Sequence, residues 1–168
     1  MLPLEGITVV AFEQAVAAPL ATRNLADLGA RVIKVERVDG GDLARGYDHV
    51  VNGTGAHFVW LNRGKESLAV DLKSEEGRDA ATRLVAGADV VVESLAPGAA
   101  TRLGVDAPTL RAERPGLIVA SLSGYGSGGP LGSRKAYDML IQADSGLISL
   151  TGTPEHPVKT GIPTADLA

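Results

Sequence analysis

The carboxylates and cations of the last third of the chain are the first groups that could do chemistry. The stretch KAYDMLIQADSGLISLTGTPEHPVKTGIPTAD, Lys135 to Asp166, carries Asp138, Asp144 and Asp166 between Gly- and Pro-rich segments. A carboxylate there can attack an activated acyl carbon, or it can cap a helix or turn. By residue type alone Asp166 reads as an N-cap or turn residue. Asp144 reads as a partly buried acid within an apolar helix-like segment. Asp42, Asp48 and Asp138 read as turn or cap residues rather than metal carboxylates, because nothing in the sequence pairs them. His49, His57 and His156 lack metal-ligand spacing and read as surface or loop residues. Arg37, Lys73, Arg102 and Lys135 each lie in or beside an expected strand-end loop or helix start. A phosphorylated cofactor needs a set of cations of this kind; the alternative is solvated surface charge.

Gly124 to Gly129 (GYGSGG) matches G-x-G-x-x-G after a strand. The dinucleotide reading fails on context. Pro130, Gly132 and Ser133 keep the chain in a loop where a helix should open, and the first βα turn, EQAVAAP, has no glycine. No P-loop and no G-x-S-x-G nucleophile elbow is present.

The elements that must position these groups alternate. Ile7 to Phe12 (ITVVAF) is a β-branched run expected of a strand buried on both faces. A helix follows over PLATRNLADLG, with Pro19 in its first turn, Leu20, Asn24 and Leu28 on one face beside Ala21 and Leu25, and Gly29 as its stop. Arg31 to Glu36 is the next strand, so the first thirty or so residues form a βαβ unit with a right-handed crossover. Arg37 to Gly55 holds five glycines and no period, which predicts a functional loop or an interface arm. Ser67 to Leu72 reads as a strand. Ser74 then caps a helix that ends at Gly87, with Glu75 and Glu76 suiting its dipole. Asp89 to Glu93 is a strand, Pro97 to Leu103 a helical turn, Asp106 the cap of a helix stopped by Pro115, and Leu117 to Leu122 a further strand. The fold expected is α/β: a Rossmann-like, doubly wound, mostly parallel sheet with flanking helices. No interdomain linker is evident, so residues 1–168 read as one domain. In such sheets ligands sit beyond the carboxyl ends of the strands, which draws together Glu13–Pro19, Arg37–Gly46, Glu93–Gly98 and Ser123–Lys135.

The totals exclude several classes. With 168 residues, 45% hydrophobic and a net charge of −4, the chain can bury a core and is poorly suited to nucleic acid. It has no cysteine, so disulfides, thiolate catalysis and Cys–zinc sites are out. MLPLEGITVVAF lacks the basic start of a signal peptide, and no apolar run reaches the roughly 20 residues of a membrane helix. A cytoplasmic enzyme or binding domain is expected, with no metal.

In sequence order, PLEGITVVAF, LADLGARVIKVER, NRGKESLAVDLKSEEG, ADVVVESLAPGAATRLG, SGYGSGGP and KAYD resemble the family III CoA-transferases, which include formyl-CoA transferase, carnitine CoA-transferase and α-methylacyl-CoA racemase. The resemblance spans essentially the whole chain. It implies a coenzyme A-binding Rossmann-like large domain, acyl-CoA and a small carboxylate as substrates, and an interlocked homodimer. It also implies that this is the N-terminal part of a longer protein, without the small domain and the returning segment; alone, such a part is expected to be inactive or merely CoA-binding. Position by position, Asp166 matches the aspartate that forms the acyl anhydride. Arg37 matches an arginine beside the CoA adenine and phosphates, and Ala15, Val16 and Ala17 match the first βα turn against CoA. Val70 and Lys73 match adenosine-pocket positions, as do Ser94, Leu95, Ala99, Arg102 and Leu103. Lys135 and Tyr137 match a lysine and a tyrosine near the pantetheine and the reaction centre.

Some positions depart from close family members. Formyl-CoA transferase has glutamine at the place of Val16, and Asn and Phe at those of Ser94 and Leu95, which points away from formate and oxalate. The racemases have histidine at the place of Tyr137. A tyrosine, with an ordinary pKa near 10, is a poor base at neutral pH. Transfer is therefore favoured over racemisation, with small dicarboxylates as the expected acids.

Overall fold

The computed structural model describes residues 1–167. They form two compact units, Met1–Leu122 and the segment from Ser123 on. The first unit holds a five-stranded sheet: β1 (Thr8–Phe12), β2 (Arg31–Glu36), β3 (Lys65–Ala69), β4 (Val90–Glu93) and β5 (Ile118–Ser121). The order is β3-β2-β1-β4-β5 and every pairing is parallel. The order in which strands are added therefore reverses between β1 and β4, at the centre, while all strands keep one direction. There the Ser94 N–H extends the ladder to the Phe12 carbonyl at 3.0 Å.

The unbroken apolar run of β1 reflects burial on both faces. Val9 and Ala11 join Ala18, Ala30, Val32 and Val92 in one cluster. Val10 and Phe12 join Val35, Ala81, Val85, Val91 and Leu117 in the other. Helices cover both: α1 (Ala17–Asp27), α2 (Ala56–Asn62), α3 (Glu75–Ala86), α4 (Ala99–Leu103) and α5 (Ala107–Glu113). Ser74 caps α3 by accepting the Gly77 N–H at 3.0 Å, and Asp106 caps α5 through the Thr109 N–H at 3.2 Å. Gly77 is fixed by close approach, since a Cβ there would lie 1.9 Å from the Asp71 carbonyl oxygen.

Three expectations need correction. The third strand starts two residues and ends three residues earlier than Ser67–Leu72, because Val70 and Leu72 pack on the core beyond the strand end and lend the reading their apolar character. The buried residues of α1 are Ala18, Pro19 and Thr22, not the Leu20–Asn24–Leu28 face; small residues bring the helix close to the sheet, and Leu28 is exposed. The helix α2 was not anticipated. It is short, buries only Leu61, and its first N–H is held by the Asp48 side chain at 3.0 Å rather than by a cap residue. His57 sits exposed on α2 between the rings of Tyr47 and Trp60.

The second unit contains α6 (Asp138–Asp144), a 3-10 turn over Leu147–Leu150 and α7 (Thr164–Leu167). The 124–135 segment is irregular, with no helix after the Gly-rich run. Gly124 packs tightly, since a Cβ there would meet the Ala136 methyl at 2.3 Å. No helix among the described residues is long and apolar enough to cross a membrane.

Candidate functional site

In the first unit, the strand ends carry three of the expected cations: Arg37 directly after β2, Lys73 after β3 and Arg102 on α4 after β4. Each is exposed. Arg37 is held by its own loop, donating Nε and Nη2 to the Gly41 carbonyl at 3.2 and 3.1 Å. It lines a cavity of about 280 Å³ with Glu36, Gly40, Gly41, Arg45, Ser67 and Ala69. Val70 continues the edge ladder, its N–H meeting the Glu36 carbonyl at 2.9 Å. Leu95 and Leu103 pack partly buried against the core, while the Ser94 hydroxyl is buried at the β4 end without a hydrogen-bond partner in the described residues. A buried hydroxyl in that state has an unmet demand for a partner.

The first βα turn is built with strain. Ala15 takes φ +66°, a left-handed conformation that costs a residue with a Cβ about 1 kcal/mol or more. Its N–H donates to Asp42 Oδ1 at 3.0 Å, and the same oxygen accepts the Ala44 N–H at 2.9 Å. So Glu13–Pro19 and Arg37–Gly46 do converge, through one carboxylate.

Asp42 belongs to a buried ionic group that the sequence reading missed. Lys34 Nζ lies 2.6 Å from Asp42 Oδ2 and 3.4 Å from Glu13 Oε1, with all three side chains 1% exposed or less. The Lys34–Asp42 contact is ionic rather than a well-aligned hydrogen bond. Lys65 Nζ meets Glu13 Oε1 at 2.7 Å, and Thr22 Oγ1 donates to Glu13 Oε2 at 2.6 Å. Burial pulls the Lys65 ammonium down to about 8, against the support it gets from Glu13. The clue was Lys34 inside RVIKVE: a cation in a strand buried on both faces needs buried counter-ions.

Next to it Glu36 accepts from Arg45 Nε and Nη2, the Ser67 hydroxyl and the Asp42 N–H. Burial pushes this carboxyl up, but those donors outweigh it and hold the pKa at about 2 against an ordinary 4.5. The stability it contributes is therefore present above pH 4.5 and is lost as pH falls from 4.5 towards 2. Glu36→Gln should flatten that part of an acid-unfolding curve followed by circular dichroism; a curve that keeps its wild-type slope there would show that Glu36 is not the group responsible.

In the second unit, Lys135 and Tyr137 are exposed, and Tyr137 is the residue before the first turn of α6. Asp166 is half-buried at α7. Burial, and then the nearby Asp138 carboxylate, raise its pKa above the ordinary aspartate value. Asp138 acts as the cap read from sequence: its Oδ1 accepts the Ala165 N–H at 2.8 Å and the Asp166 N–H at 3.4 Å. Asp144 is not a partly buried acid. It is exposed and engaged by the Tyr125 hydroxyl at 2.5 Å and Arg134 at 3.2 Å.

Comparison with known proteins follows the same lines. The model of the CoA-transferase family III matches residues 4–168. Mouse succinyl-CoA:glutarate CoA-transferase is 39% identical over 170 residues, covering 100% of this chain and 39% of its own length. A probable fatty acyl-CoA transferase of Mycobacterium tuberculosis is 44% identical over 156 residues, 91% of this chain and 39% of its own. Acetyl-CoA:oxalate CoA-transferase of Acetobacter aceti is 41% identical over 92% of this chain and 40% of its own length, so overall similarity does not separate oxalate from glutarate. A crystal structure of a CAIB/BAIF family protein from Brucella suis superposes with a TM-score of 0.90 at 42% identity, over 98% of this chain and 45% of that one. The chain thus spans about 40% of the length of the curated relatives it matches. The parallel sheet, the order of its motifs and these matches agree: this chain belongs to the CoA-transferase family III.

Proposed function

We propose that the protein of which this chain forms part is a cytoplasmic acyl-CoA:carboxylate CoA-transferase acting on small, dicarboxylic acids, with Asp166 as its nucleophile. The observation that carries this reading is Asp166 itself: a half-buried carboxylate of raised pKa, held in a short helix by its N–H, which meets the Asp138 carboxylate at 3.4 Å and the Pro163 carbonyl at 3.1 Å. A carboxylate stripped of water and made more basic is a stronger nucleophile once ionised.

The proposed sequence conserves atoms and charge. A carboxylate oxygen of Asp166 attacks the acyl-CoA carbonyl; the C–S bond breaks and CoA thiolate leaves with the electron pair, giving an aspartyl–acyl anhydride. The thiolate attacks the Asp166 carbonyl carbon, the anhydride C–O bond breaks, and the donor acid departs as carboxylate. The acceptor carboxylate then attacks the aspartyl-CoA thioester, and the steps reverse on the new acyl group. No net proton is taken up. Arg37, Lys73, Arg102 and Lys135 would meet the CoA phosphates and pantetheine arm. The Ala15–Ala17 turn, Val70, Ser94, Leu95, Ala99 and Leu103 would line its course, and Val16 and Tyr137 would stand near the reacting acyl group. The exposed Val59, Trp60, Met139 and Leu150 side chains fit a chain that covers further surface with a second copy, in an interlocked homodimer.

The test is trapping. Full-length protein is incubated with succinyl-CoA or glutaryl-CoA, quenched with hydroxylamine and mapped by peptide mass spectrometry. A hydroxamate on Asp166 is expected. A turnover-competent enzyme that carries none there would overturn the assignment. Solvent deuterium entering the acyl α-carbon without an acceptor acid would point to racemisation instead.

A further inference from the structure

The second unit contains a fully buried amide that the proposed chemistry does not use. Gln142 on α6 is 0% exposed. Its Nε2 donates to Asp138 Oδ2 at 2.6 Å and reaches the Ile162 carbonyl at 3.5 Å. Its Oε1 accepts the Thr160 N–H and the Thr160 hydroxyl, both at 3.0 Å. The Thr160 hydroxyl also shares a 2.6 Å hydrogen bond with Thr164 Oγ1, at the start of α7.

The chemistry of the partners sets the polarity of this chain of bonds. A backbone N–H can only donate, so Gln142 must present oxygen to Thr160. An ionised carboxylate can only accept, so Gln142 must present nitrogen to Asp138. Asp138 in turn spends its other oxygen on the Ala165 and Asp166 N–H groups. The side chains of residues 138 and 142, four apart on one helix, thus grip both the loop that leads to α7 and the first turn of α7 itself.

We infer that Gln142, acting through Asp138 and Thr160, is a positioning residue for Asp166: the Asp138–Gln142–Thr160 relay fixes the backbone from which the reactive carboxylate projects. The inference rests on Asp166 being the nucleophile. Other charges in this unit are engaged or peripheral. Asp144, also on α6, is taken by Tyr125 and Arg134, and Glu155, His156 and Lys159 on the connecting loop are exposed. Asp138 is the carboxylate whose field reaches Asp166.

The relay predicts a swap. Asp138→Asn sets an amide nitrogen against the Gln142 nitrogen, donor to donor. Gln142→Glu sets carboxylate against carboxylate. The double variant Asp138→Asn with Gln142→Glu is complementary again: Asn donates to Glu, its oxygen still accepts the α7 N–H groups, and Glu accepts from Thr160. In full-length protein each single variant should lower kcat for CoA transfer by about 10- to 100-fold with KM for acyl-CoA within about threefold, since small displacements of a reacting group cost rates of this order. The double variant should return kcat to within about fivefold of wild type. Because it moves the negative charge away from Asp166, its acid limb of kcat should also lie at lower pH than that of wild type, a readout that packing alone would not move. Thr160→Val is the milder probe should a single variant not fold; it should lower kcat by about threefold or more. Wild-type kcat in the folded single variants or in Thr160→Val would overturn the relay, as would a double variant no faster than the worse single one. Hydroxamate trapping on Asp166 in wild type tests the nucleophile separately, so a failure of the relay leaves that assignment standing.

Discussion

Replacing Asp166 by Ala or Asn is expected to lower CoA transfer by at least about 10⁴-fold in full-length protein, the scale seen when a covalent nucleophile is lost. The fold should survive. Asp166 is half-buried rather than in a core, and α7 is anchored through Asp138 and Thr160, not through the Asp166 side chain. CoA affinity, measured by calorimetry, should change less than about threefold, because the strand-end cations and the first βα turn are untouched. Activity within tenfold of wild type in a folded variant would remove Asp166 from the chemistry. The raised pKa adds a second signature. Ionised Asp166 is the reactive form, so the acid limb of kcat should fall above the ordinary aspartate value of about 3.9, not at it.

Lys34→Met is expected to be among the most damaging substitutions for stability, costing about 3–5 kcal/mol. It removes the cation that sits between Asp42 and Glu13: Glu13 keeps Lys65 and the Thr22 hydroxyl, but Asp42 is left in a dry interior with the Ala15 and Ala44 N–H groups in place of its ion pair. A partial rescue follows from the same arithmetic of charge. Adding Glu13→Gln to Lys34→Met restores the balance of one anion to one cation, so the double variant should be more stable than Lys34→Met alone. The exposed pairs Arg31–Glu66 and Arg63–Asp27 give the contrast: breaking either should cost far less than losing Lys34, since water screens both partners. Urea unfolding of the three variants distinguishes the cases. A Lys34→Met cost no larger than that of Arg31→Ala would show that the buried group is not held as described.

What the sequence disclosed and what it hid divide along physical lines. The strands β1, β2 and β4 were legible because burial on both faces leaves a signature rich in β-branched residues, and β5, an edge strand with no buried residue, was legible only as a short apolar run between Pro115 and the Gly-rich segment. The caps at Ser74 and Asp106 were legible because capping is a local exchange between a side chain and an N–H three residues on. β3 was misplaced because an edge strand carries no such signature, and α2 was overlooked because its anchor, Asp48, lies outside it. The ionic group of Glu13, Lys34, Asp42 and Lys65 stayed hidden for a related reason: its members come from distant parts of the chain, and only the parallel sheet brings them to one place. The site positions came from the resemblance. Residue types alone made Asp166 an ordinary cap, while the relay through Gln142 needed coordinates, because a glutamine in an apolar helix shows its partners only after the chain has turned back on it.

The central place of β1 has a consequence for how the chain is made. β1 pairs with β2, the next strand, but its other edge waits for β4. On a ribosome working at about 5–20 residues per second, the interval between those two strands is on the order of several seconds. During that time Val9, Val10 and Ala11 present an apolar strand with one row of unpaired backbone groups. Parallel pairing offers no hairpin shortcut, since each new strand must arrive through a crossover. The nascent chain therefore passes through a stage in which its best-buried strand is its most adhesive one.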